Sequence, residues 1–352
     1  MPHPSWIEFL TQQGQPQDAD SLSAVATHYQ QDDTLLMALT QQTLISFVGP
    51  DAEKFLQGQL TCDLNDLSQE RSLLGANCTH KGMVLSTARL FKQAEGALLM
   101  RLPLAMAEPA LTNLKKFAVF SKVAITLADD QWTGLALMGE SAPGYLAQLG
   151  IVPPDHVNEQ RLRDDLIVVR VAGNSPRFEL WCPASQAEQL WRTLAALAQI
   201  GNSQAWQAAD IEAGLVQLGP ESLETYIPQM LNLQAVDGIG FSKGCYTGQE
   251  IVARLQYRGK LKKLMYAATL SNASLSGAMI APGTALYAGN GRSVGKVLSS
   301  VKQQQRVLLQ AIIGKAAADA GDLHLGSAEG PDVSLLPLPY SIDPELFERP
   351  QR

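Results

Sequence analysis

The sequence predicts an α+β protein: two related α+β units followed by a small antiparallel barrel or sandwich. Three observations carry this prediction. A strand–glycine–helix pattern occurs twice, an amphipathic helix follows the second copy, and the tail is a series of short apolar runs separated by Gly- and Asn-rich turns.

The first copy starts with the strand-like run Leu44–Val48 and continues as Gly49-Pro50-Asp51-Ala52-Glu53-Lys54-Phe55-Leu56. Proline is tolerated at the first helical position because its missing N–H would be unpaired there, and acids suit the positive end of a helix. The second copy is Leu135-Ala136-Leu137-Met138-Gly139-Glu140-Ser141-Ala142-Pro143-Gly144-Tyr145-Leu146. Gly49 and Gly139, Ala52 and Ala142, Phe55 and Tyr145, and Leu56 and Leu146 all share one offset. Such self-similarity points to two related units packed side by side. Strand–glycine–helix junctions are also common, so two short segments can match by chance.

Upstream of both copies, residues 1–34 are rich in Gln, Asp, Ser and Thr and read as a variable N-terminal arm. The second unit continues with strands over Leu166–Val171 and Arg177–Cys182, parted by the turn Gly173-Asn174-Ser175-Pro176. Ser185-Gln186-Ala187-Glu188 reads as a capping box opening a helix with Leu190, Trp191, Leu194 and Leu197 on one stripe. A further helix is predicted from Ser203 to Ala213, ending at Gly214. After Lys263 the runs Leu264–Leu270, Ala285–Ala288, Ser293–Val301 and Arg306–Ile313 predict strands, with Gly289-Asn290-Gly291 as a hairpin connection.

With 352 residues, 46% hydrophobic and 17% charged, the chain has the length and balance of a globular protein of two or three domains. It contains no uncharged apolar run long enough to span a bilayer, and its first residues lack a basic segment followed by an apolar core. The expectation is a cytoplasmic protein with no membrane association. Cys62, Cys78, Cys182 and Cys245 form no CxxC pair, which argues against a disulfide framework or a metal site built from this chain alone. Cys78 and His80 could supply two ligands, and nothing nearby completes a tetrahedron. A formal net charge of −7 disfavours direct tRNA binding over a large surface. There is no GxSxG elbow, no phosphate loop and no dinucleotide fingerprint. His28, His80, His156 and His324 read as surface or packing residues, and the lack of a heptad run favours a monomer.

The most distinctive stretch is Lys243-Gly244-Cys245-Tyr246-Thr247-Gly248-Gln249-Glu250, followed by Val252-Ala253-Arg254 and Arg258-Gly259-Lys260. Two glycines allow tight backbone geometry around one cysteine, and the adjacent Lys243 and Arg254 would favour thiolate, making Cys245 a candidate reactive thiol. From Lys243 to Lys263 six bases face one acid, an excess suited to an anionic ligand tail or partner. A glycine-rich connector with an inert cysteine fits the same residues.

These residues resemble the signature of the YgfZ family, whose relatives include a mitochondrial iron–sulfur assembly factor. Further similar segments are 47–59, 114–123, 211–214, 227–235 and 337–341, so the resemblance covers roughly residues 40 to 345. The family is related to the aminomethyltransferase of the glycine cleavage system. The resemblance therefore implies two intertwined, ferredoxin-like α+β units around a central folate pocket, plus a C-terminal antiparallel β-barrel. On that basis residues 35–263 would form the folate-binding core, split near 130 with 203–263 returning to the first unit, and residues 264–345 the barrel.

The resemblance also implies tetrahydrofolate or a related folate as cofactor. Glu212, in the Glu-Ala-Gly segment, would accept paired N–H bonds from the aminopyrimidine edge. Trp206 matches a folate-linked tryptophan, Gln42 stands where the family has the other, and Lys243 and Arg254 are the basic candidates around the ligand. Transferase relatives use a carboxylate after a glycine, whereas His80 to Leu90 contains no acid here. The expected role is thus a folate-binding accessory protein without classical enzymatic activity, serving iron–sulfur enzymes that include tRNA-thiolating ones. A tetrahydrofolate-dependent one-carbon transferase and a non-catalytic scaffold with a vestigial pocket are the alternatives.

Overall fold

A computed structural model describes residues 3–15, 33–271, 280–303 and 306–347. His28 and residues 16–32 of the N-terminal arm lie outside the described residues. In chain order the elements begin with α1 (Pro4–Gln12), β1 (Leu35–Ala38), β2 (Gln42–Val48), α2 (Ala52–Gln59), β3 (Leu73–Cys78) and β4 (Val84–Lys92). Next come β5 (Leu98–Pro103), α3 (Ala107–Phe117), β6 (Ala124–Leu127), β7 (Trp132–Met138) and α4 (Ala142–Gln148). These lead to β8 (Gln160–Arg163), β9 (Leu166–Val171), β10 (Arg177–Pro183), α5 (Ala184–Ala195), β11 (Gln199–Ile200) and α6 (Ser203–Glu212). The last group is α7 (Gln249–Arg258), β12 (Lys263–Ser271), β13 (Ala285–Tyr287), β14 (Ser293–Lys302), β15 (Arg306–Gly314), α8 (Lys315–Ala320), β16 (His324–Leu325) and β17 (Ser334–Leu336). The class is mixed α+β with several sheets.

Contacts divide the chain into two units. The first comprises Met1–Gln59, Asp63–Leu74 and Ala88–Trp206, and the second Leu60–Cys62, Gly75–Thr87 and Gln207–Arg352. Strands β3 and β4 and helix α6 therefore each carry the chain from one unit to the other.

In the first unit, a six-stranded sheet runs β11-β1-β7-β10-β9-β8. Period-two alternation sends its side chains to two different cores. Leu135, Leu137, Phe178, Leu180 and Cys182 pack under α1, α4 and α5 with Trp6, Leu146 and Trp191. Ala136, Trp181, Ile167 and Val169 point the other way, where they meet Leu44, Phe91 and Leu99 from a second sheet in which β4, β5, β2 and β6 are successive neighbours. A sheet buried on both faces explains why its strands are nearly continuous apolar runs.

The repeated pattern forms the same local structure twice, β2–α2 and β7–α4. Gly49 and Gly139 have φ of 138° and 137°, and each accepts from the N–H three residues on, Ala52 at 3.2 Å and Ala142 at 3.1 Å. A Cβ at Gly49 would lie 2.3 Å from the Lys122 carbonyl oxygen, and one at Gly139 2.6 Å from Thr34 Oγ1, so both positions require glycine.

Two sequence expectations are corrected. The capping box at Ser185–Glu188 does not form. Pro183, paired with Trp132 at the end of β10, occupies the N-cap position, so α5 begins one residue before Ser185. Glu188 instead pairs with Arg192 one turn on, at 2.8 Å. The N-terminal segment also contains more order than its polar composition indicates. Trp6, Phe9 and Leu10 form an i, i+3, i+4 stripe that buries α1 on the sheet, with Trp6 edge-on to Trp191 at 5.7 Å.

The second unit holds the six-stranded sheet β16-β13-β14-β15-β12-β17, every pair antiparallel. The predicted hairpin closes β13 to β14, with the Ala288 N–H donating to the Arg292 carbonyl at 3.0 Å. Along β15, Val307, Leu309, Ala311 and Ile313 face one core, while Leu308 and Ile312 enter two others.

Candidate functional site

In the second unit, the segment 243–250 is a loop that ends on the N-terminus of α7. Its residues alternate between anchors and exposed positions. Lys243 is 7% exposed, and its ammonium donates to the carbonyls of Leu60 at 2.7 Å and Cys62 at 2.6 Å while lying 5.0 Å from the Tyr246 ring centre. Tyr246 is buried, and burial, reinforced by Cys78 and Cys62, pushes its phenol well above the ordinary tyrosine value. Between these anchors Cys245 is exposed. Gly248 caps α7 at φ 86°, and a Cβ there would lie 2.5 Å from the Thr79 carbonyl oxygen, so the glycine of the motif is a packing requirement.

The Lys243 cation expected beside the thiol is thus engaged with two buried carbonyls. Arg254 is exposed on α7, with Arg258 one turn further along the same face. These two bases, rather than Lys243, present positive charge at the surface of this segment.

The other three cysteines are buried. Burial pushes the thiols of Cys78 and Cys182 up to about 12. Alkylation of the native protein near pH 8 should therefore modify a single thiol per chain and spare a Cys245→Ser variant. Mass spectrometry reads both, and native labelling at Cys78 or Cys182 would contradict the assignment. Among the described residues no group of three or more His, Cys, Asp or Glu could hold a metal ion.

Glu212 ends α6 elsewhere in the same unit. Its Oε1 accepts from Arg306 Nη2 of β15 at 2.7 Å, and its side chain is 28% exposed. A small, open pocket adjoins the helix, lined by Gln207, Asp210, Gln217, Ser299, Ser300 and Gln310 among others. Asp210 Oδ2 accepts from Gln217 Nε2 at 2.6 Å, and Gln310 Nε2 donates to the Leu215 carbonyl at 2.8 Å. Positions 210 and 212 lie about 200° apart around a helix. Asp210 thus faces the pocket, while Glu212 meets Arg306. The one local trace of this pocket in the sequence is the second carboxylate in Asp210-Ile211-Glu212.

Trp206 and Gln42 belong to the first unit. Trp206 is 3% exposed in the apolar cluster that contains Leu44 and Trp181, and the Arg177 guanidinium lies 3.9 Å from its ring centre. Arg177 also donates to the carbonyls of Ala172 at 2.8 Å and Trp206 at 3.4 Å. One face of the indole is therefore already covered by a cation. Gln42 Oε1 accepts from Arg101 Nη1 at 3.4 Å, beside the buried pair that Arg101 Nη2 makes with Glu179 Oε1 at 2.7 Å.

The fold places the chain in a recognisable class. The crystal structure of the glycine cleavage system aminomethyltransferase T from Bartonella henselae superposes with a TM-score of 0.69, covering 88% of this chain and 86% of that one at 18% identity. The family model described as the GCVT N-terminal domain matches residues 31–237, so this is a chain of the aminomethyltransferase-like class. Within it, the tRNA-modifying protein YgfZ of Klebsiella pneumoniae is 35% identical over 309 residues, covering 88% of this chain and 93% of the relative. The protein of the same name from Yersinia enterocolitica is 35% identical, over 87% of this chain and 92% of that one. The chain belongs to the YgfZ family.

Proposed function

We propose that the protein is a folate-binding accessory factor for tRNA modification that serves iron–sulfur enzymes, tRNA-thiolating ones among them, and runs no conventional catalytic cycle of its own. The observation that carries this reading is the match over 93% of a relative named tRNA-modifying protein YgfZ. The GCVT domain match supports tetrahydrofolate or a related folate as ligand. A reduced folate, when bound, supplies one-carbon chemistry.

The residues fit such a ligand in part. Glu212 is a partly exposed carboxylate suited to the aminopyrimidine edge, and the contact with Arg306 orients it. Trp206 lies buried under Arg177 in the first unit, and stacking on its covered face would require Arg177 to move. Gln42 extends the polar contacts of Arg101. Arg254 offers charge to an anionic ligand tail, whereas Lys243 secures the loop that carries Cys245. The thiol acts by mixed-disulfide exchange or as a transient cluster ligand, since one thiol alone cannot hold a cluster. The absence of an acid from His80 to Leu90 favours the helper over a transferase.

The finer architecture that accompanies this reading is two interleaved ferredoxin-like units over 35–263 with a barrel over 264–345. The twice-used strand–glycine–helix element supports the former and the antiparallel six-stranded sheet the latter. The protein is read as a cytoplasmic monomer; no helix among the described residues is long and apolar enough to cross a membrane.

Anaerobic calorimetry with tetrahydrofolate tests the ligand. Micromolar binding is expected, weakened roughly tenfold or more by Glu212→Ala through the loss of a charge-assisted pair. Trp206→Ala should weaken it through disturbed packing. No binding by the intact protein would remove folate from the account and leave the scaffold.

A further inference from the structure

After α3 the chain turns through Ala118-Val119-Phe120-Ser121, closed by the Ser121 N–H donating to the Ala118 carbonyl at 2.9 Å. The two central positions of such a turn favour Gly, Pro, Asn or Asp. Here they hold Val119 and Phe120, 73% and 99% exposed. Phe117, at the end of α3, is 52% exposed. Val48, whose partner Ala124 opens β6 just beyond the turn, is 54% exposed. These are four of the seven exposed large apolar side chains among the described residues, three of them within four consecutive positions and the fourth opposite Ala124 just beyond the turn.

The tip is pinned at its base. The Lys122 N–H donates to Asp51 Oδ2 at 2.7 Å, the Asp51 N–H donates to the Lys122 carbonyl at 3.3 Å, and the Val123 N–H donates to the Ser121 carbonyl at 2.9 Å. Apart from Asp51, whose carboxylate at the base is turned onto the Lys122 N–H, the tip's own segment is basic. Lys115, Lys116 and Lys122 flank it, and no acid occurs between Glu108 and Asp129, in a chain whose net charge is −7.

We propose that this tip is a docking knob for a partner protein that presents an apolar pocket rimmed by carboxylates. A rigid aromatic projecting from a fixed turn fills such a pocket with little loss of conformational entropy. The lysines supply complementarity to an acidic rim and steer the encounter. The acidic body opposes approach to polyanionic nucleic acid and to anionic bilayers. Val119 and Val48 also add nothing to base stacking, whereas both enlarge a protein contact. The knob stands apart from Glu212 and Cys245 in sequence, and its role does not depend on the folate reading.

The test replaces Phe120 with p-benzoylphenylalanine in producing cells and maps the ultraviolet-induced adduct, with the same replacement at the exposed Val152 as control. The captured protein is then purified and titrated calorimetrically against the wild type, Phe120→Asp, the Lys115→Glu/Lys116→Glu double variant and Val152→Asp. Expected are a loss of about tenfold or more for Phe120→Asp, weaker binding on charge reversal and at higher salt, and no change for Val152→Asp. Because Phe120 is almost fully exposed, the melting temperature should not move. Absence of an adduct above the Val152 background, or equal binding by Phe120→Asp, would overturn the assignment. So would Phe120-dependent sedimentation with phosphatidylcholine–phosphatidylglycerol vesicles, which would assign the tip to a bilayer.

Discussion

An Arg101→Met variant should lose about 3–5 kcal/mol of stability near neutral pH, the cost of leaving a buried carboxylate without its partner. Glu179 is 2% exposed, with Arg101 Nη2 2.7 Å from Oε1 and the Trp181 indole N–H donating to Oε2 at 3.0 Å. Burial pushes the Glu179 carboxyl up, but the charges of Arg101 and Arg89 and the hydrogen bonds of Trp181 and Arg101 overcome it and hold the group below the usual carboxylate value. A folded-state value below the unfolded one contributes stability above the unfolded pKa and loses it as pH falls through the folded pKa. Arg101→Met removes a charge and a hydrogen bond that oppose burial, so the carboxyl rises relative to the wild type. Denaturant melts should therefore show the deficit of the variant shrinking as pH is lowered through the ordinary glutamate range of about 4 to 5. A deficit that does not change with pH would show that the loss arises from packing. The double replacement Arg101→Met/Glu179→Met should recover most of the loss, because paired apolar groups carry no desolvation cost.

The Lys243→Met variant separates a structural from a ligand-binding role for the first residue of the motif. Its ammonium donates to two buried carbonyls on a segment 181 and 183 residues away in sequence. Leaving both acceptors unpaired should cost about 1–3 kcal/mol each and loosen the loop that carries Cys245. The expected result is a lower denaturation midpoint together with faster alkylation of Cys78, whose buried thiol shares this neighbourhood through Tyr246. Arg254→Met, a change at the exposed surface of α7, should leave both quantities within error. Equal stability of Lys243→Met and wild type would return Lys243 to the list of ligand contacts.

Local rules were sufficient for much of the architecture. The apolar run Leu166–Val171 and the runs after Lys263 became strands with ends shifted by no more than a residue or so; β9 and β15 are buried on both faces and so are nearly unbroken apolar runs, whereas β14 mixes buried apolar with exposed polar positions. Gly49 and Gly139 were legible as equivalent because a backbone at φ near 138° admits almost no other residue. Helix α1 was missed although its stripe of Trp6, Phe9 and Leu10 was present, since the polar residues around it masked a single short face.

By itself, then, the sequence determined strands β2, β7, β9, β10 and β12 to β15, helices α2, α4, α5 and α6, the repeated turn and the family string around Cys245. The tertiary structure alone decided which side chains meet: Lys243 on Leu60 and Cys62, Arg177 over Trp206, Arg101 with Glu179 beside Gln42, and Asp210 in a pocket separate from Glu212. Periodicity and propensity act over a few residues, and so they are written locally. The partner of a buried charge is chosen by the need to satisfy it wherever the packed chain brings a complementary group, often tens to hundreds of residues away.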